Sequence, residues 1–160
     1  MNKEELLQNL LAKGFPKKVL DAFSKVPREK FVPYQLRGKA YEDTALPIGH
    51  GQTISQPYTI SVMLSELELR SGQKVLEIGS GCGYVLALIS ELVGKNGKVF
   101  GIEIIPELVK MSKENLRNYK NVKVYNINGA DGFSEKAPFD GILISAAIHD
   151  IPESIIGQLK

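Results

Sequence analysis

The sequence predicts an α/β protein with a doubly wound, mostly parallel sheet, helices on both faces and a helical extension at the N-terminus. Three observations support this fold. From Lys74 onward, short apolar segments alternate with segments of helical character. The first apolar segment runs into a glycine-rich loop that opens a helix, and the second ends near an acidic residue. Such alternation is typical of parallel sheets, because each crossover between strands needs the length of a helix.

Residues 1–70 are predicted to form helices and a segment that covers the functional site. Leucines at helical spacing predict a first helix that stops at Gly14, and a second short helix follows Pro16. Residues 28–51, rich in proline and glycine, are predicted to form turns, and Pro57 then opens a third helix. The apolar positions behind these helices are Leu6, Leu7, Leu10, Leu11, Val19, Leu20, Phe23, Ile60, Leu64 and Leu67.

Residues 71–160 are predicted to form the core of the same single domain. Four strands are expected, in the segments KVLEIG (74–79), KVFGIEI (98–104), VKVYNI (122–127) and FDGILISAA (139–147). The intervening helices are YVLALISELVG and PELVKMSKENLRNY, and a further helix starts in IPESIIGQLK. In such sheets a ligand binds beyond the carboxyl ends of the strands, where the strand order reverses.

Composition excludes several classes of protein. Twenty basic and 18 acidic residues leave a net charge of +2, too small to favour a nucleic-acid or membrane surface. The single cysteine, Cys82, excludes an internal disulfide and fits a reducing compartment. Charged residues near the N-terminus differ from a signal peptide, and no apolar run approaches the ~20 residues that span a bilayer. We therefore expect a cytoplasmic domain without membrane or nucleic-acid partners.

The loop after the first strand carries the strongest functional signal. In EIGSGCG, three glycines alternate with other residues after Glu77, ending at Gly83. Glycines there let backbone N–H groups approach a ligand, although they could also serve only a tight turn. Glu103, twenty residues after Gly83, ends the second strand, where a carboxylate can accept hydrogen bonds from both hydroxyls of a ribose.

The spacing of these glycines distinguishes a dinucleotide-binding loop from other nucleotide-binding loops. A dinucleotide fingerprint has the pattern G-x-G-x-x-G, whereas this chain has G-x-G-x-G between Gly79 and Gly83. The shorter pattern, after an acidic residue, resembles the S-adenosylmethionine loop of the Rossmann-like methyltransferases.

Further motifs narrow this resemblance to one family. VPREKFVP, AYEDTALPIGHGQTIS, VLEIGSGCGY, GIEIIPEL, ADG, KAPFDGILISAA and IPESIIGQL occur along the chain. Their order, from about Val26 to the last residue, resembles that of the protein-L-isoaspartate O-methyltransferases. The most specific part is ALPIGHGQTISQP. The resemblance implies S-adenosyl-L-methionine as cofactor and, as substrate, the free carboxylate of L-isoaspartyl residues in damaged proteins and peptides.

The resemblance implies that Ser55 is the catalytic residue. The substrate carboxylate is already an anion and the sulfonium methyl group an electrophile, so the transfer needs positioning rather than a base, metal or nucleophile. The Ser55 hydroxyl would hold the carboxylate beside the methyl group. Residue type alone leaves an alternative, in which Ser55 caps the helix that opens at Pro57.

The other site residues follow from the same resemblance. Glu77 could support the loop or reach the methionine amine, and Asp131 resembles the acceptor for the adenine amino group, although it could be a turn aspartate. Tyr58 stands where the family often has histidine, and can still pack on the cofactor. The expected cofactor-binding residues are Thr53, Ile54, Ser55, Tyr58, Glu77, Gly79, Ser80, Gly81, Gly83, Glu103, Ile104, Asp131 and Gly132. The expected substrate-binding residues are Pro47, Ile48 and Gln52.

Other polar residues favour ordinary structural roles. His50 and His149 are expected to be solvated, and Cys82 to be a small loop residue. No grouping of His, Cys, Asp and Glu has metal-ligand spacing, so no metal is expected.

The chain stops at Lys160, where the family continues with a glycine turn and further strands. We therefore expect the C-terminal strands of the family to be missing, as in a fragment, a natural short form or a chain completed by a partner. A monomer is expected, with self-association possible through an open sheet edge. Two alternatives to the repair enzyme stay open. One is a non-catalytic or weakly active module that binds cofactor or peptide, and the other is a methyltransferase with another substrate.

Overall fold

The computed structural model describes residues 1–160 and confirms the doubly wound α/β fold. The helices are α1 (Lys3–Ala12), α2 (Lys17–Lys25), α3 (Pro57–Glu66), α4 (Tyr84–Val93), α5 (Pro106–Asn115) and α6 (Glu153–Ile156). The strands are β1 (Leu46–Gly49), β2 (Gln52–Ile54), β3 (Lys74–Ile78), β4 (Lys98–Glu103), β5 (Val122–Asn126) and β6 (Gly141–Ile144). None of these helices combines the length and the apolar character that crossing a membrane requires.

The central sheet has four parallel strands in the order β5-β4-β3-β6. Strand β3 lies between β4 and β6, and its Ile78 faces Ile102 on one side and Ile144 on the other. The strand order therefore reverses direction at β3, so that the crevice expected for a ligand opens at the carboxyl end of this strand. The near-continuous apolar character of KVLEI follows from burial on both faces of the sheet.

The two faces of the sheet are covered differently. Helices α4 and α5 pack on one face, and α2 packs outside α4. This side holds the larger cluster of buried residues, including Leu6 and Leu10 of α1. The other face carries a smaller cluster, in which Phe133 and Ile155 of α6 cover Phe100 and Ile102. The core on the α4 side of the sheet therefore includes the N-terminal helices, which the sequence places in the same domain.

The structure corrects the prediction of turns over residues 28–51. Strands β1 and β2 form an antiparallel hairpin outside the main sheet, in which Leu46 pairs with Ile54. Short 3₁₀ helices occupy Arg28–Lys30 and Tyr34–Lys39. The prediction was wrong because such short strands, interrupted by proline and glycine, carry no clear alternation. Burial of Leu46, Ile48 and Ile54 in the core holds the hairpin together instead.

A helix starts in the last segment as predicted, and it is short. Helix α6 ends at Ile156, and the chain then turns so that Leu159 forms a parallel bridge with Phe139. The backbone N–H of Phe139 donates to the carbonyl of Gln158 at 2.8 Å. Before the bridge, the last turn tightens, because the N–H groups of Gln158 and Leu159 donate to the carbonyls of Ile155 and Ile156, three residues back.

We expect Gly97→Ala to destabilise the fold. Gly97 lies in the turn before β4, and a Cβ there would lie 2.5 Å from Val93 Cβ and 2.9 Å from the carbonyl oxygen of Gln73. Relieving this overlap requires backbone movement, so we expect a loss of about 1–3 kcal/mol in the free energy of unfolding. Urea denaturation should measure it. The control is Gly38→Ala, whose Cβ would meet no atom within 4 Å; equal midpoints for the two variants would contradict the prediction.

Candidate active site

A cavity of about 360 Å³ opens at the carboxyl ends of β3, β4 and β6. Six segments distant in sequence line it: β2 with Ser55, the glycine loop, the end of β4, the residues after β5, the end of β6 with the loop that follows, and two residues of the α6 segment. The lining residues are Gln52, Thr53, Ile54, Ser55, Glu77, Ile78, Gly79, Ser80, Gly81, Cys82, Tyr84, Val85, Ile102, Glu103, Ile104, Ile105, Ile127, Asn128, Gly129, Ala130, Ile144, Ser145, Ala146, Ala147, Ile148, Pro152 and Ile155.

The glycine loop turns sharply between β3 and α4. Gly81 has φ +53°, and a Cβ added there would meet only Ile48 Cδ1, at 3.4 Å. Gly83 has φ +88°, and its Cβ would lie 2.7 Å from Leu116 Cδ1. Gly81 thus permits the positive φ of the turn, whereas Gly83 allows the end of α5 to pack against the loop.

Glu103 connects the end of β4 to this loop. Its side chain is 6% exposed. One carboxylate oxygen accepts a hydrogen bond from the Gly81 N–H at 2.9 Å, and the other accepts from the Ile105 N–H at 3.0 Å. A carboxylate oxygen has two lone pairs, so each oxygen can still accept a second hydrogen bond from the cavity side.

Glu77 lies deeper, at the end of β3. It is 2% exposed, and its Oε1 accepts a hydrogen bond from the Ser145 hydroxyl at 2.7 Å. Its Oε2 has no hydrogen-bond partner in the chain, and neither has the buried hydroxyl of Ser80. Burial raises the pKa of Glu77 to about 8, against the lowering effect of the Ser145 hydrogen bond, and the charge of Glu103 raises it further.

Ser55 is half-buried and also lines the cavity. It does not cap α3, because the N-cap residue is Gln56, without a side-chain capping bond. The free N–H of Tyr58 donates instead to Asp43 Oδ1, at 2.8 Å. The capping alternative for Ser55 is therefore wrong, and its hydroxyl remains available to a molecule in the cavity.

Comparisons with known proteins identify the family. The model of the family "Protein-L-isoaspartate(D-aspartate) O-methyltransferase" matches residues 1–160. The chain belongs to this family. A protein-L-isoaspartate O-methyltransferase of Methanothrix thermoacetophila is 49% identical over 162 residues, which cover 100% of this chain and 77% of the relative.

Solved structures of the family agree with the fold. A protein-L-isoaspartate O-methyltransferase superposes with a TM-score of 0.90 at 31% identity, over 99% of this chain and 52% of that one. The beta-aspartate methyltransferase of Plasmodium falciparum, in complex with S-adenosyl-L-homocysteine, has a TM-score of 0.87 at 28% identity, over 100% of this chain and 80% of that one. The chain thus spans about half to four fifths of the length of these relatives.

Most of the site residues expected from the family resemblance meet in the cavity. Ten of them line it together: Gln52, Thr53, Ile54, Ser55, Glu77, Gly79, Ser80, Gly81, Glu103 and Ile104. Six do not line it: Pro47, Ile48, Tyr58, Gly83, Asp131 and Gly132.

Three of these six lie on or near the hairpin. Ile48 is 2% exposed and packs under the glycine loop, so it supports the site from behind. Pro47 is exposed in β1. Tyr58 points toward the N-terminal helices, where its ring packs edge-on against Phe15 at 5.5 Å and the Lys13 ammonium lies 5.4 Å from its centroid.

The ADG motif also lies differently from the expectation. Asp131 is exposed, and its Oδ1 accepts a hydrogen bond from the Ser154 hydroxyl at 3.3 Å. Gly132 packs against the Gln158 side chain, which a Cβ would meet at 2.6 Å. The Gln158 amide donates to the Asp131 carbonyl at 2.7 Å, so α6 and the residues after it hold Asp131 and Gly132 beside the cavity, whereas Ala130 of the same motif lines it.

Sequence reasoning missed several lining residues. Ser145, the residue that pairs with Glu77, follows β6 directly, and the rule that parallel strands end at one edge of a sheet could have indicated it. Asn126, which does not line the cavity, also escaped notice; its side-chain amide donates to the carbonyls of Glu103 and Ile104, which secures the end of β4.

The remaining polar candidates lie as follows. His50 stands exposed in the hairpin turn at φ +55°, and His149 is exposed after β6. Cys82 is buried in the glycine loop, and burial raises the pKa of its thiol to about 11. No group of three His, Cys, Asp or Glu side chains is arranged to hold a metal ion.

Proposed function

We propose that the chain is an S-adenosyl-L-methionine-dependent methyltransferase that acts on the free carboxylate of L-isoaspartyl residues in damaged proteins and peptides. The single observation that carries this proposal is the free hydroxyl of Ser55, which shares one cavity with the glycine loop and Glu103. The ester formed at an isoaspartyl carboxylate is the activated form from which the normal backbone can be regained, so the function is protein repair.

The residues of the cavity fit the cofactor. The unpartnered Oε2 of Glu77 and hydroxyl of Ser80 are buried polar groups that a polar ligand would satisfy. Glu103 retains lone pairs for ribose hydroxyls. Ile104, an apolar side chain that is 61% exposed beside Glu103, would border the adenine ring.

The chain's own residues supply positioning. S-adenosyl-L-methionine, when bound, offers a sulfonium-activated methyl group to a carboxylate that is already an anion, so no proton has to be removed. The Ser55 hydroxyl donates a hydrogen bond to that carboxylate and fixes its approach. Apolar walls such as Ile54 and Ile144 limit access of water, which strengthens these polar contacts.

The substrate is expected to approach along β2. Gln52 and Thr53 are exposed and also line the cavity, so this strand forms its open side. Pro47 lies opposite Thr53 in the hairpin, and can form the outer lip. A short, flexible stretch of backbone would fit such an edge. We propose that the chain works as a monomer in the cytoplasm, without nucleic acid or membrane partners; its single, buried cysteine is typical of a reducing compartment.

The test uses methyl-labelled S-adenosyl-L-methionine and two peptides that differ only in Asp or isoAsp. We expect base-labile label on the isoAsp peptide alone. A chain that binds S-adenosyl-L-homocysteine but labels neither peptide would instead support a binding module or another substrate.

Ser55→Ala should lower kcat for the isoAsp peptide by about 10²-fold or more, because the carboxylate loses the group that orients it. The affinity for S-adenosyl-L-homocysteine should stay within about threefold, since Glu77, Ser80 and Glu103 remain. Steady-state kinetics and calorimetry measure the two quantities. Ser24→Ala, an exposed position at the end of α2, is the control. Unchanged kcat in Ser55→Ala would remove Ser55 from the mechanism.

A further inference from the structure

Helix α3, which follows Ser55, begins with only two free backbone donors. Pro57 has no N–H, and the N–H of Ile60 already donates to the Gln56 carbonyl at 3.1 Å. The N–H groups of Tyr58 and Thr59 therefore remain. The N-cap residue, Gln56, offers them no side-chain bond.

Asp43 supplies the missing cap from a distant turn. Its Oδ1 accepts the hydrogen bond of the Tyr58 N–H at 2.8 Å, across 15 residues of sequence. A carboxylate at this position also interacts favourably with the positive end of the helix dipole. The contact ties the start of the hairpin segment to the start of α3, so that Ser55 lies between two fixed points.

The turn that carries Asp43 is itself anchored in the core. Arg28 is fully buried, and its Nη2 donates to the carbonyl of the next residue, Thr44, at 3.3 Å. The guanidinium lies over the Tyr84 ring, 5.2 Å from its centroid. Tyr84 is the first residue of α4, directly after the glycine loop. Arg28 therefore supports both the turn that carries Asp43 and the glycine loop.

The hydrogen bond from the Tyr58 N–H to Asp43 determines whether the Ser55 hydroxyl stays free of the helix. Tyr58 lies three residues after Ser55, which is a spacing at which a serine hydroxyl accepts from a helix N–H. Without Asp43, the Ser55 oxygen could take this donor and turn away from the cavity. We infer that Asp43 is a positioning residue, which caps α3 in place of Ser55 and so leaves the serine hydroxyl free for the substrate carboxylate. This inference rests on the proposed function.

The kinetic test compares two substitutions of Asp43 with the isoAsp peptide as substrate. Asp43→Ala should lower kcat about tenfold or more, with the affinity for S-adenosyl-L-homocysteine unchanged. Asp43→Asn should keep kcat within about threefold of wild type, because an asparagine oxygen caps a helix as well as an aspartate does. Glu42→Ala, at the neighbouring position without a side-chain hydrogen bond, should leave kcat unchanged.

A second measurement does not depend on the stability of the alanine variant. In the wild-type chain and in Asp43→Asn, the amide hydrogen of Tyr58 should exchange with solvent more slowly than that of Thr59. Equal exchange of the two amides in the wild type would overturn the inference, as would loss of kcat in Asp43→Asn equal to that in Asp43→Ala.

The outcomes also separate this inference from the function on which it rests. A wild-type chain that methylates no isoaspartyl peptide overturns both together. An active wild type, with an Asp43→Ala variant of unchanged kcat, overturns the positioning role alone and leaves Ser55 as the catalytic residue.

Discussion

Glu103→Gln should weaken the binding of S-adenosyl-L-homocysteine by about 30- to 1,000-fold, corresponding to about 2–4 kcal/mol. The size of this effect follows from the two backbone hydrogen bonds that the carboxylate accepts, from Gly81 and from Ile105. A glutamine side chain has one acceptor oxygen and one donor NH₂ group. Whichever way the amide turns, a donor faces one of the two N–H groups, so the loop or the start of α5 must move.

Isothermal titration of the wild type and the variant measures this loss. Glu107→Gln is the matched control, because Glu107 is an exposed carboxylate in the first turn of α5 that makes no side-chain hydrogen bond to the glycine loop. Its affinity should equal that of the wild type. If Glu103→Gln binds as tightly as Glu107→Gln, the carboxylate neither shapes the loop nor holds the ligand.

Glu77→Gln should remove a pH dependence from the same binding equilibrium. In the free protein the pKa of Glu77 is about 8, chiefly because of burial, so the carboxyl group is mainly protonated at neutral pH. A ligand that brings its ammonium group to Glu77 binds the ionised form and lowers this pKa, so binding releases a proton. Affinity should therefore rise with pH, by up to tenfold per unit between about pH 6 and 8, and level off above pH 8.

The variant tests this mechanism directly. Glu77→Gln should bind S-adenosyl-L-homocysteine with little change between pH 6 and 8, and at pH 8 about tenfold or more weaker than wild type. Titrations in buffers of different ionisation enthalpy count the released proton. A wild-type affinity that is flat over this range would show that no cation of the ligand reaches Glu77.

Stability should depend on pH through the same group, with the opposite trend. The folded-state pKa of Glu77 lies above that of the unfolded chain, so between about pH 4.5 and 8 the unfolded state loses the proton that the folded state keeps. This contribution is present below pH 4.5 and is lost as pH rises to 8, at most about 1.4 kcal/mol per unit. Glu77→Gln should lack it, which thermal unfolding at several pH values measures.

Local patterns were sufficient to predict the core of the fold. Helix α4 begins directly after Gly83 and ends before Gly94. Helix α5 begins directly after Ile105 and ends before Leu116. Both pairs of limits are close to the predicted ones. The glycine loop and Glu103 were predicted to share one ligand site because both lie at the carboxyl ends of strands in a parallel sheet. The same rule could have included Ser145, which lies at the end of the third adjacent strand.

The family's specific segment was harder to interpret. Its sequence identified Ser55, yet the first hairpin strand, β1, fell in a region predicted as turns, and β2 was not predicted. Short strands in this region have no period that distinguishes them from turns, and their pairing depends on the burial of Leu46, Ile48 and Ile54 in a core built by other elements.

The sequence alone was therefore sufficient to predict the features that depend on hydrophobic periodicity, on glycine conformation and on the alternation of strands and helices. The tertiary structure decided which polar groups are partners: Asp43 with the Tyr58 N–H, Ser145 with Glu77, and Ser154 with Asp131. The physical reason is the distance along the chain. A helix or a turn forms through contacts between residues a few positions apart, whereas these three hydrogen bonds join residues that are 15, 68 and 23 positions apart. Their partners are set by packing of the completed core, which places Ser55 in the cavity with its hydroxyl free.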